Sequence, residues 1–176
     1  MTLNSIPTRT AGGENAPVAV AAFRLKKILA PTDFSEASVK ALRYAGAFAR
    51  QSGAKILLLH VVEPVYYPMY GTEIIPDLGA VQVELLTASR THLEEFSRAK
   101  GVDGGPLELI VSEGVAWAEI IIAAKQQEAD LIILSTHGHT GLRHALLGST
   151  AERVVRHAGC PVLTVREQER EFIIQD

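Results

Sequence analysis

Short apolar blocks alternate with amphipathic stretches along most of the chain. Apolar residues fill consecutive positions at Ile28–Ala30 and, apart from His60, over Ile56–Val62, which are lengths typical of strands. The stretch between these blocks has a helical period, with an apolar face of Val39, Leu42, Gly46 and Ala49. Ser35 stands at the position of a helix N-cap and Gly53 at that of a left-handed C-cap. The pattern therefore predicts a strand, a capped helix and a second strand.

The same alternation continues to the end of the chain. Residues Pro64–Ala80 are rich in Pro, Gly and Tyr and predict a loop, and the helix after it is predicted to stop near Gly101. Further strands are predicted at Leu107–Val111, Leu131–Leu134 and Pro161–Arg166. Apolar positions with helical spacing mark three more helices: Leu86, Leu93 and Phe96; Trp117, Ile120, Ile121 and Ala124; and Ala151, Val154, Val155 and Ala158.

The predicted elements follow one another in the order βαβαβαβαβ. Strands that are apolar at consecutive positions are buried on both faces, which is typical of a parallel sheet between two layers of helices. Crossovers between parallel strands are right-handed. The sequence therefore predicts a doubly wound α/β fold, with a five-stranded parallel sheet and helices on both faces.

The length of 176 residues suits a single domain. We expect residues 1–23 to form a disordered leader, because they are rich in Thr, Gly, Asn and Pro and lack a regular period. The domain is expected to span residues 24–167, and residues 168–176 to form a charged tail that frays. No apolar run reaches the roughly 18–20 residues that a membrane helix needs, so a transmembrane protein is excluded.

Net charge and cysteine usage exclude further classes of protein. A net charge of −3 argues against a protein that coats nucleic acid, which needs a basic surplus. The single cysteine, Cys160, excludes a disulfide framework and a four-cysteine zinc site, and we expect it to serve in packing. The N-terminal stretch lacks the basic start and compact apolar segment of a secretory signal. We therefore expect a cytoplasmic protein that binds neither membrane nor nucleic acid.

Open parallel sheets bind ligands beyond the carboxyl ends of their strands, where the strand order reverses. The segments that follow strands one, two and four are therefore candidates: Pro31–Ser35, Val62–Pro64 and Ser135–Gly141. The last segment leads to Gly148-Ser149-Thr150, which opens a helix. Glycines permit close backbone approach, and a helix N-terminus presents N–H groups and the positive end of a dipole, so this arrangement suits phosphate. Alternatively, the glycines only shape turns and Ser149 is an N-cap.

Several common catalytic and nucleotide motifs are absent. No Gly-Lys-Ser/Thr follows the loop, which excludes a P-loop, and no Gly-x-Gly-x-x-Gly follows strand one, which disfavours a standard dinucleotide fold. The absence of a Gly-x-Ser-x-Gly elbow and of a His-Glu-x-x-His helix removes most of the support for a hydrolase or a metalloprotease. The spacing of four histidines fits no familiar metal-ligand set, so no metal site is expected at His137, His139, His144 and His157.

Three features together resemble the universal stress protein family. They are Pro31-Thr32-Asp33-Phe34-Ser35 after strand one, His60-Val61 in strand two, and the spacing Gly138-x9-Gly148-Ser149. The resemblance extends from Arg24 to Arg166 and implies a Rossmann-like fold of the adenine nucleotide alpha hydrolase type. It also implies the branch of the family that binds ATP through Gly-x2-Gly-x9-Gly-Ser/Thr. Ser135 stands here in place of the first glycine of that motif.

The resemblance implies a role for each matched position. In this arrangement the turn after strand one lines the adenosine pocket, and the backbone of strand two meets the adenine edge. The loop after strand four faces the ribose and inner phosphates, and the following helix donates N–H and hydroxyl groups to the outer phosphates. The residues so placed are Pro31, Thr32, Asp33, Val61, Ser135, Thr136, Gly138, Gly148, Ser149 and Thr150. A Mg²⁺ ion could bridge the phosphates, although the sequence shows no acidic pair dedicated to it.

Several residues have two interpretations at this point. Asp33 either contacts the ligand or caps the first helix together with Ser35, and the motif favours the first. His60 is expected to be a structural, hydrogen-bonded residue of its strand, and Trp117 to belong to the core face of a helix. The loop that contains Tyr66, Tyr67 and Tyr70 is either a solvated connection or a flap over the nucleotide.

Three functions remain open from the sequence. The first is an ATP-binding regulatory protein of the stress response, which the resemblance favours, as a homodimer joined through Pro161–Arg166. The second is a slow ATP hydrolase or nucleotide-dependent transferase on the same cleft; Asp33, the loop histidines and Arg143 form no convincing catalytic set, so at most weak hydrolysis is expected. The third is an interaction module without nucleotide, against which the spacing of Gly138 and Gly148 argues.

Overall fold

The computed structural model describes residues 24–64, 78–101, 105–136, 147–168, 170–171 and 173. Within these ranges five strands alternate with four helices, as the apolar pattern predicts. In chain order they are β1 (Lys27–Pro31), α1 (Glu36–Ser52), β2 (Lys55–Val62), α2 (Leu78–Ala99), β3 (Leu107–Glu113), α3 (Ala116–Gln126), β4 (Leu131–Ser135), α4 (Ser149–His157) and β5 (Val162–Val165). No helix in these ranges is both long enough and apolar enough to cross a membrane.

The strands form one parallel sheet in the order β3-β2-β1-β4-β5. Strand β1 is central and pairs with β2 along its whole length, with Lys27 opposite Lys55 and Pro31 opposite Leu59. The chain proceeds outward from β1 to β3, returns to β4 beside β1, and proceeds outward again to β5. The predicted doubly wound fold is thus confirmed, and the strand order reverses between β1 and β4.

Each face of the sheet is covered by two helices, which explains why the strands are apolar at consecutive positions. Alternate residues of a strand point to opposite faces. In β2, Ile56 and Leu58 belong to the core under α1 and α2, whereas Leu57 and Leu59 belong to the core under α3 and α4. All four side chains are fully buried. The predicted placement of helices on both faces is therefore confirmed.

Helix α1 begins and ends where its sequence predicts. The side chain of Ser35 accepts a hydrogen bond from the Ser38 N–H at 3.2 Å, which caps the helix at its start. Gly53 closes the helix in the left-handed region, with a φ of 73°, and its N–H donates to the Ala49 carbonyl at 2.8 Å. The two caps fix the ends of α1, and Ser35 also closes the turn between β1 and α1.

Several element boundaries differ from the prediction by a few residues, and two of these differences have a clear physical cause. Helix α2 begins at Leu78, inside the predicted loop, because one glycine in a helix of 22 residues, Gly79, costs only about 1 kcal/mol. Strand β5 is shorter than Pro161–Arg166. Pro161 has no N–H to donate to the ladder, although its carbonyl accepts from the Ile132 N–H at 3.0 Å, and Arg166 lies beyond the last paired residue.

The described part of the C-terminal tail packs on α1, where the sequence predicts fraying. Glu171 Oε1 lies 3.4 Å from Lys40 Nζ and 3.5 Å from Arg43 Nη2, and Lys40 Nζ also donates to the Glu167 carbonyl at 3.0 Å. Ile173 packs against the core under α1 and α2. The expected leader, residues 1–23, and the tyrosine loop lie outside the described residues.

Candidate functional site

A cavity of about 400 Å³ opens at the carboxyl ends of β1, β2 and β4, where the strand order reverses. Sites for small molecules commonly measure about 300–1,000 Å³. Nine of the ten predicted site residues line this cavity: Pro31, Thr32, Asp33, Val61, Ser135, Thr136, Gly148, Ser149 and Thr150. The tenth, Gly138, lies outside the described residues, as do His137, His139, Arg143 and His144.

The turn between β1 and α1 is held by a small network of side chains. Asp33 Oδ1 accepts hydrogen bonds from the Ser35 N–H at 3.1 Å and from Ser35 Oγ at 2.5 Å. Since Ser35 in turn caps α1, Asp33 supports the cap while it also borders the cavity. The two interpretations of Asp33 that the sequence leaves open are therefore compatible with each other.

Phe34 holds the same turn through its ring. Its backbone lies in the left-handed region, with a φ of 66°, which is strained for a residue with a bulky side chain. The ring centroid lies 4.0 Å from that of His92, 4.3 Å from that of His60 and 5.2 Å from that of Phe96. Its N–H donates to Thr32 Oγ1 at 3.0 Å. These contacts offset the strain, and no local signal in the sequence identifies them.

The backbone of Val61 faces the cavity with one donor and one acceptor. In a parallel sheet the N–H and C=O groups of successive residues point alternately to the two neighbouring strands. The Leu59 carbonyl accepts from the Thr32 N–H at 2.8 Å, toward β1, and the Val62 carbonyl accepts from the Gly114 N–H at 3.0 Å, toward β3. Val61 therefore points toward β1, at a level where β1 has already ended.

Helix α4 presents the start of its first turn to the same cavity. Its N-cap is Gly148, so the alternative prediction of Ser149 as N-cap is wrong. The Gly148 N–H donates to the Thr136 carbonyl at 2.8 Å, so it is not a donor for a ligand, contrary to the predicted role. The Gly148 carbonyl accepts the Glu152 N–H at 2.9 Å, so the N–H groups of Ser149, Thr150 and Ala151 precede the first bond of the helix.

The described lining of the cavity contains both negatively charged side chains and the positive end of a helix dipole. Two carboxylates, Asp33 and Glu63, follow β1 and β2, whereas the N-terminus of α4 carries the positive end of the helix dipole. None of the described lining residues is Lys or Arg. The cavity therefore suits an elongated ligand with hydrogen-bond donors at one end and negative charge at the other.

Some lining residues were not predicted from the sequence. Ala116 and Ile120 reach the cavity because the start of α3 follows the carboxyl end of β3, and Ser38 does so from the first turn of α1. None of them stands in the three candidate segments after β1, β2 and β4. They depend on how helices pack on the sheet, which short motifs do not encode.

Three residues that were not predicted to bind a ligand have the structural roles that the sequence predicts. His60 Nδ1 lies 2.9 Å from the Thr32 carbonyl, so this histidine is hydrogen-bonded within the fold. Trp117 packs against the core under α3 and α4, and its ring lies under the Arg153 guanidinium at 5.4 Å. Cys160 packs against the same core and is partly buried.

A second cavity, of about 590 Å³, lies near the amino ends of the strands. It is lined by Arg24, Leu25, Lys26, Phe48, Gln51, Ser52 and Gly53. Open parallel sheets bind their ligands at the opposite end, beyond the carboxyl ends of the strands. The smaller cavity is therefore the better candidate for a functional site, because it combines the switch point with paired donors and acceptors.

Comparison with known proteins agrees with this architecture. The model of the universal stress protein family matches residues 24–166. A universal stress protein of Methanocaldococcus jannaschii is 35% identical over 150 residues, which cover 83% of this chain and 85% of that protein. The structure of the universal stress protein UspA from Lactobacillus plantarum matches with a TM-score of 0.70 at 32% identity, over 82% of this chain and 100% of that chain.

A more distant structure shares the fold. It is a universal stress protein family member from Arabidopsis thaliana, solved with AMP bound, which matches with a TM-score of 0.55 over 81% of this chain and 92% of that chain. Its identity to this chain is 22%, so it supports the fold alone. The family model and the 35% identical relative show the family as well as the fold, because each covers most of the sequence. The chain belongs to the universal stress protein family.

Proposed function

We propose that the cavity between β1 and α4 binds ATP, and that this binding has a regulatory role in a cytoplasmic stress response. The observation that carries the proposal is the opposition of two kinds of group across one cavity of about 400 Å³. The backbone donor and acceptor of Val61 lie on the β2 side of β1, and the first turn of α4, which is bonded to Thr136 after β4, lies on the other side.

The β2 end of the cavity suits an adenine base and its ribose. Adenine presents an acceptor nitrogen next to the N6 amino donor on its pairing edge, which complements the N–H and C=O of Val61. Ribose hydroxyls donate to carboxylates, and Asp33 borders the cavity beside this position. In this proposal Pro31 and Thr32 line the base and sugar, and Ser135, Thr136 and Gly138 face the ribose and inner phosphates.

The α4 end of the cavity suits the outer phosphates. The N–H groups of the first helical turn and the positive end of the dipole, equivalent to about half an elementary charge, attract anions. Ser149 and Thr150 add hydroxyl donors, and Gly148 leaves room for the phosphate chain because it has no side chain.

A Mg²⁺ ion fits this proposal as part of the ligand. Within the described ranges no group of three or more His, Cys, Asp or Glu side chains could hold a metal ion. Mg²⁺ commonly binds one or two carboxylates together with phosphates and water. The carboxylates of the described lining, Asp33 and Glu63, follow β1 and β2 and not β4, so in this proposal phosphate oxygens and water supply most of the ligands of the ion. The ion would neutralise part of the phosphate charge.

Calorimetric titration of the nucleotide-stripped full chain with ATP tests the proposal. We expect a Kd in the micromolar range, equivalent to about −8 kcal/mol. The absence of any heat or fluorescence change at millimolar ATP would contradict it. Phosphate release measured on the same samples separates a regulatory binder from a hydrolase, since turnover well above about one per minute would contradict the regulatory role.

A pair of glycine variants tests the phosphate end. Gly148→Val is expected to abolish ATP binding, because a branched side chain would occupy the path of the phosphates. Gly159→Val is the matched control: a Cβ built on Gly159 meets nothing within 4 Å, and the residue lies beyond the end of α4. Equal ATP affinity of the two variants would exclude the proposed phosphate position.

We also propose a homodimer that forms through β5, the strand at one edge of the sheet. An apolar edge strand has unpaired backbone groups and is prone to aggregation unless it is covered. The β5 residues that face β4 are those whose carbonyls accept from it, such as Val165, which accepts the Thr136 N–H at 2.9 Å. By alternation, Val162 and Thr164 present their backbone groups to the open edge.

A further inference from the structure

The backbone hydrogen bonds between β1 and β2 end at Thr32, and within the described part of the chain the next bond expected in a regular parallel ladder is absent. In a parallel ladder, a residue that donates to position j−1 of the neighbouring strand accepts from position j+1. Thr32 donates its N–H to the Leu59 carbonyl at 2.8 Å, so the regular next bond would run from the Val61 N–H to the Thr32 carbonyl. Among the described residues, the Thr32 carbonyl is instead bonded to a side chain.

That side chain is His60. Its Nδ1 lies 2.9 Å from the Thr32 carbonyl oxygen, and a carbonyl can only accept, so Nδ1 carries the proton. His60 therefore takes the acceptor that the Val61 N–H would use if the ladder continued. At this carbonyl a side-chain donor therefore stands where the regular ladder would have a main-chain donor.

The His60 ring packs against Phe34, which in turn packs against helix α2. It lies 4.3 Å from the Phe34 ring, whose other ring contacts are with His92 at 4.0 Å and Phe96 at 5.2 Å, both on α2. Phe34 keeps this position with a strained φ of 66°. The contact with Phe34, which is itself packed against His92 and Phe96, thus restricts the direction in which His60 can donate.

We propose that His60 is a positioning residue that keeps the Val61 N–H free to recognise the edge of the base. This inference rests on the proposed nucleotide site and adds the cause of its base recognition. If His60 only satisfied the Thr32 carbonyl, replacing it would not change the hydrogen-bond partner of the Val61 N–H. The two roles therefore differ in a measurable property of a neighbouring amide.

Amide hydrogen exchange in the full chain without nucleotide tests the ladder itself. In the wild type we expect the Val61 N–H to exchange at least about tenfold faster than the Val62 N–H, which faces β3 inside the sheet. In His60→Val the Thr32 carbonyl becomes available, so the Val61 exchange should slow at least about tenfold. Equal exchange of Val61 and Val62 in the wild type, or unchanged exchange in the variant, would overturn the inference.

Two further variants separate the hydrogen bond from the packing. His60→Asn places an amide N–H near the position of Nδ1, so fast exchange at Val61 should persist. His92→Val removes a ring that contacts Phe34 from α2 but leaves His60 in place, and the Val61 exchange should again remain fast. Slow exchange in His60→Asn, with the protein folded, would show that the hydrogen bond is not what frees Val61.

Nucleotide affinity then tests the consequence for recognition. ITP has the same size as ATP, but its pairing edge carries a donor N–H and an acceptor oxygen in reversed order, so the ratio of the two Kd values reports on the Val61 backbone. We expect His60→Val to weaken ATP binding at least about tenfold and to reduce the preference over ITP, while His60→Asn retains both. An equal loss for ATP and ITP would contradict the positioning role.

The outcomes distinguish this inference from the proposed function. If the wild type binds no ATP, the proposed function fails, and the exchange measurement still decides whether His60 frees Val61. If the wild type binds ATP and His60→Val keeps the same preference for ATP over ITP, the inference alone fails. If His60→Val does not fold, the wild-type exchange rates and His60→Asn still decide the inference.

Discussion

The thiol of Cys160 shows how the environment of one side chain sets its chemistry. Cys160 lies between α4 and β5 and packs against the core under α3 and α4. Burial raises the pKa of this thiol above its ordinary value, and the negative charge of Asp130 raises the pKa further. The thiolate is the reactive form of cysteine. The thiol is therefore held in its unreactive, protonated form, in agreement with a role in packing.

We expect Cys160 to react with iodoacetamide more slowly in the folded chain than in the urea-unfolded chain at the same mildly alkaline pH. Because the folded state holds this proton more tightly, the stability of the fold should also fall as the pH rises through the ordinary pKa of a thiol. Alkylation rates measured against pH check the first point, and Cys160→Ser is the control for the second. Equal or faster alkylation of the folded chain would contradict the prediction.

At the residue scale, the sequence predicts which residues border the site better than it predicts what their atoms do. Asp33, Gly148 and Ser149 line one cavity, as expected for polar residues after a strand and at the start of a helix, because the ends of parallel strands meet at one edge of a sheet. The capture of the Gly148 N–H by Thr136 and the left-handed Phe34 could not be predicted. Both depend on contacts between segments far apart in sequence.

At the scale of an element, helix α1 offers an internal comparison of two glycines. Gly46 lies inside the helix and Gly53 closes it, and a Cβ built on either meets nothing within 4 Å. Gly46 has an ordinary helical backbone, whereas Gly53 has a φ of 73°, which penalises any residue with a Cβ. Both positions have room for a Cβ, so the backbone φ angle is what distinguishes Gly46 from Gly53.

We therefore predict opposite effects of the same substitution within α1. Gly46→Ala should raise the free energy of unfolding by about 1 kcal/mol, because alanine has the higher helix propensity. Gly53→Ala should lower the free energy of unfolding by about 1 kcal/mol, because alanine resists the left-handed region. Urea unfolding of the two variants checks both values. Changes of the same sign would mean that the backbone does not control these positions.

Element boundaries were predicted less well than the elements themselves. All five strands and all four helices in the described ranges agree with the apolar pattern, because burial on two faces leaves long apolar runs. The predicted start of α2 was too late because Gly79 continues a stretch rich in Pro, Gly and Tyr, although a long helix tolerates one glycine. The length of β5 is set by its pairing with β4, and the sequence of β5 alone does not show where that pairing begins and ends.

At the scale of the whole molecule, the proposed homodimer is tested at the open edge of β5. Thr164→Pro removes an N–H that faces this edge and leaves the N–H groups toward β4 intact, whereas Thr164→Val retains the N–H. We expect the wild type and Thr164→Val to sediment as dimers at about tens of micromolar, a concentration at which Kd values of the order of micromolar give mostly complex. Thr164→Pro should sediment as a monomer. A monomeric wild type would exclude this interface.

Thr136 links the cavity between β1 and α4 to that edge. Its N–H donates to the Val165 carbonyl in β5 at 2.9 Å, and its carbonyl accepts the Gly148 N–H at the start of α4 at 2.8 Å. A shift of the first turn of α4 must therefore either break one of these bonds or move the edge strand. Thermodynamic coupling between two binding events is reciprocal. If both proposals hold, any factor by which ATP strengthens self-association is the factor by which self-association strengthens ATP binding, and a single residue provides the route.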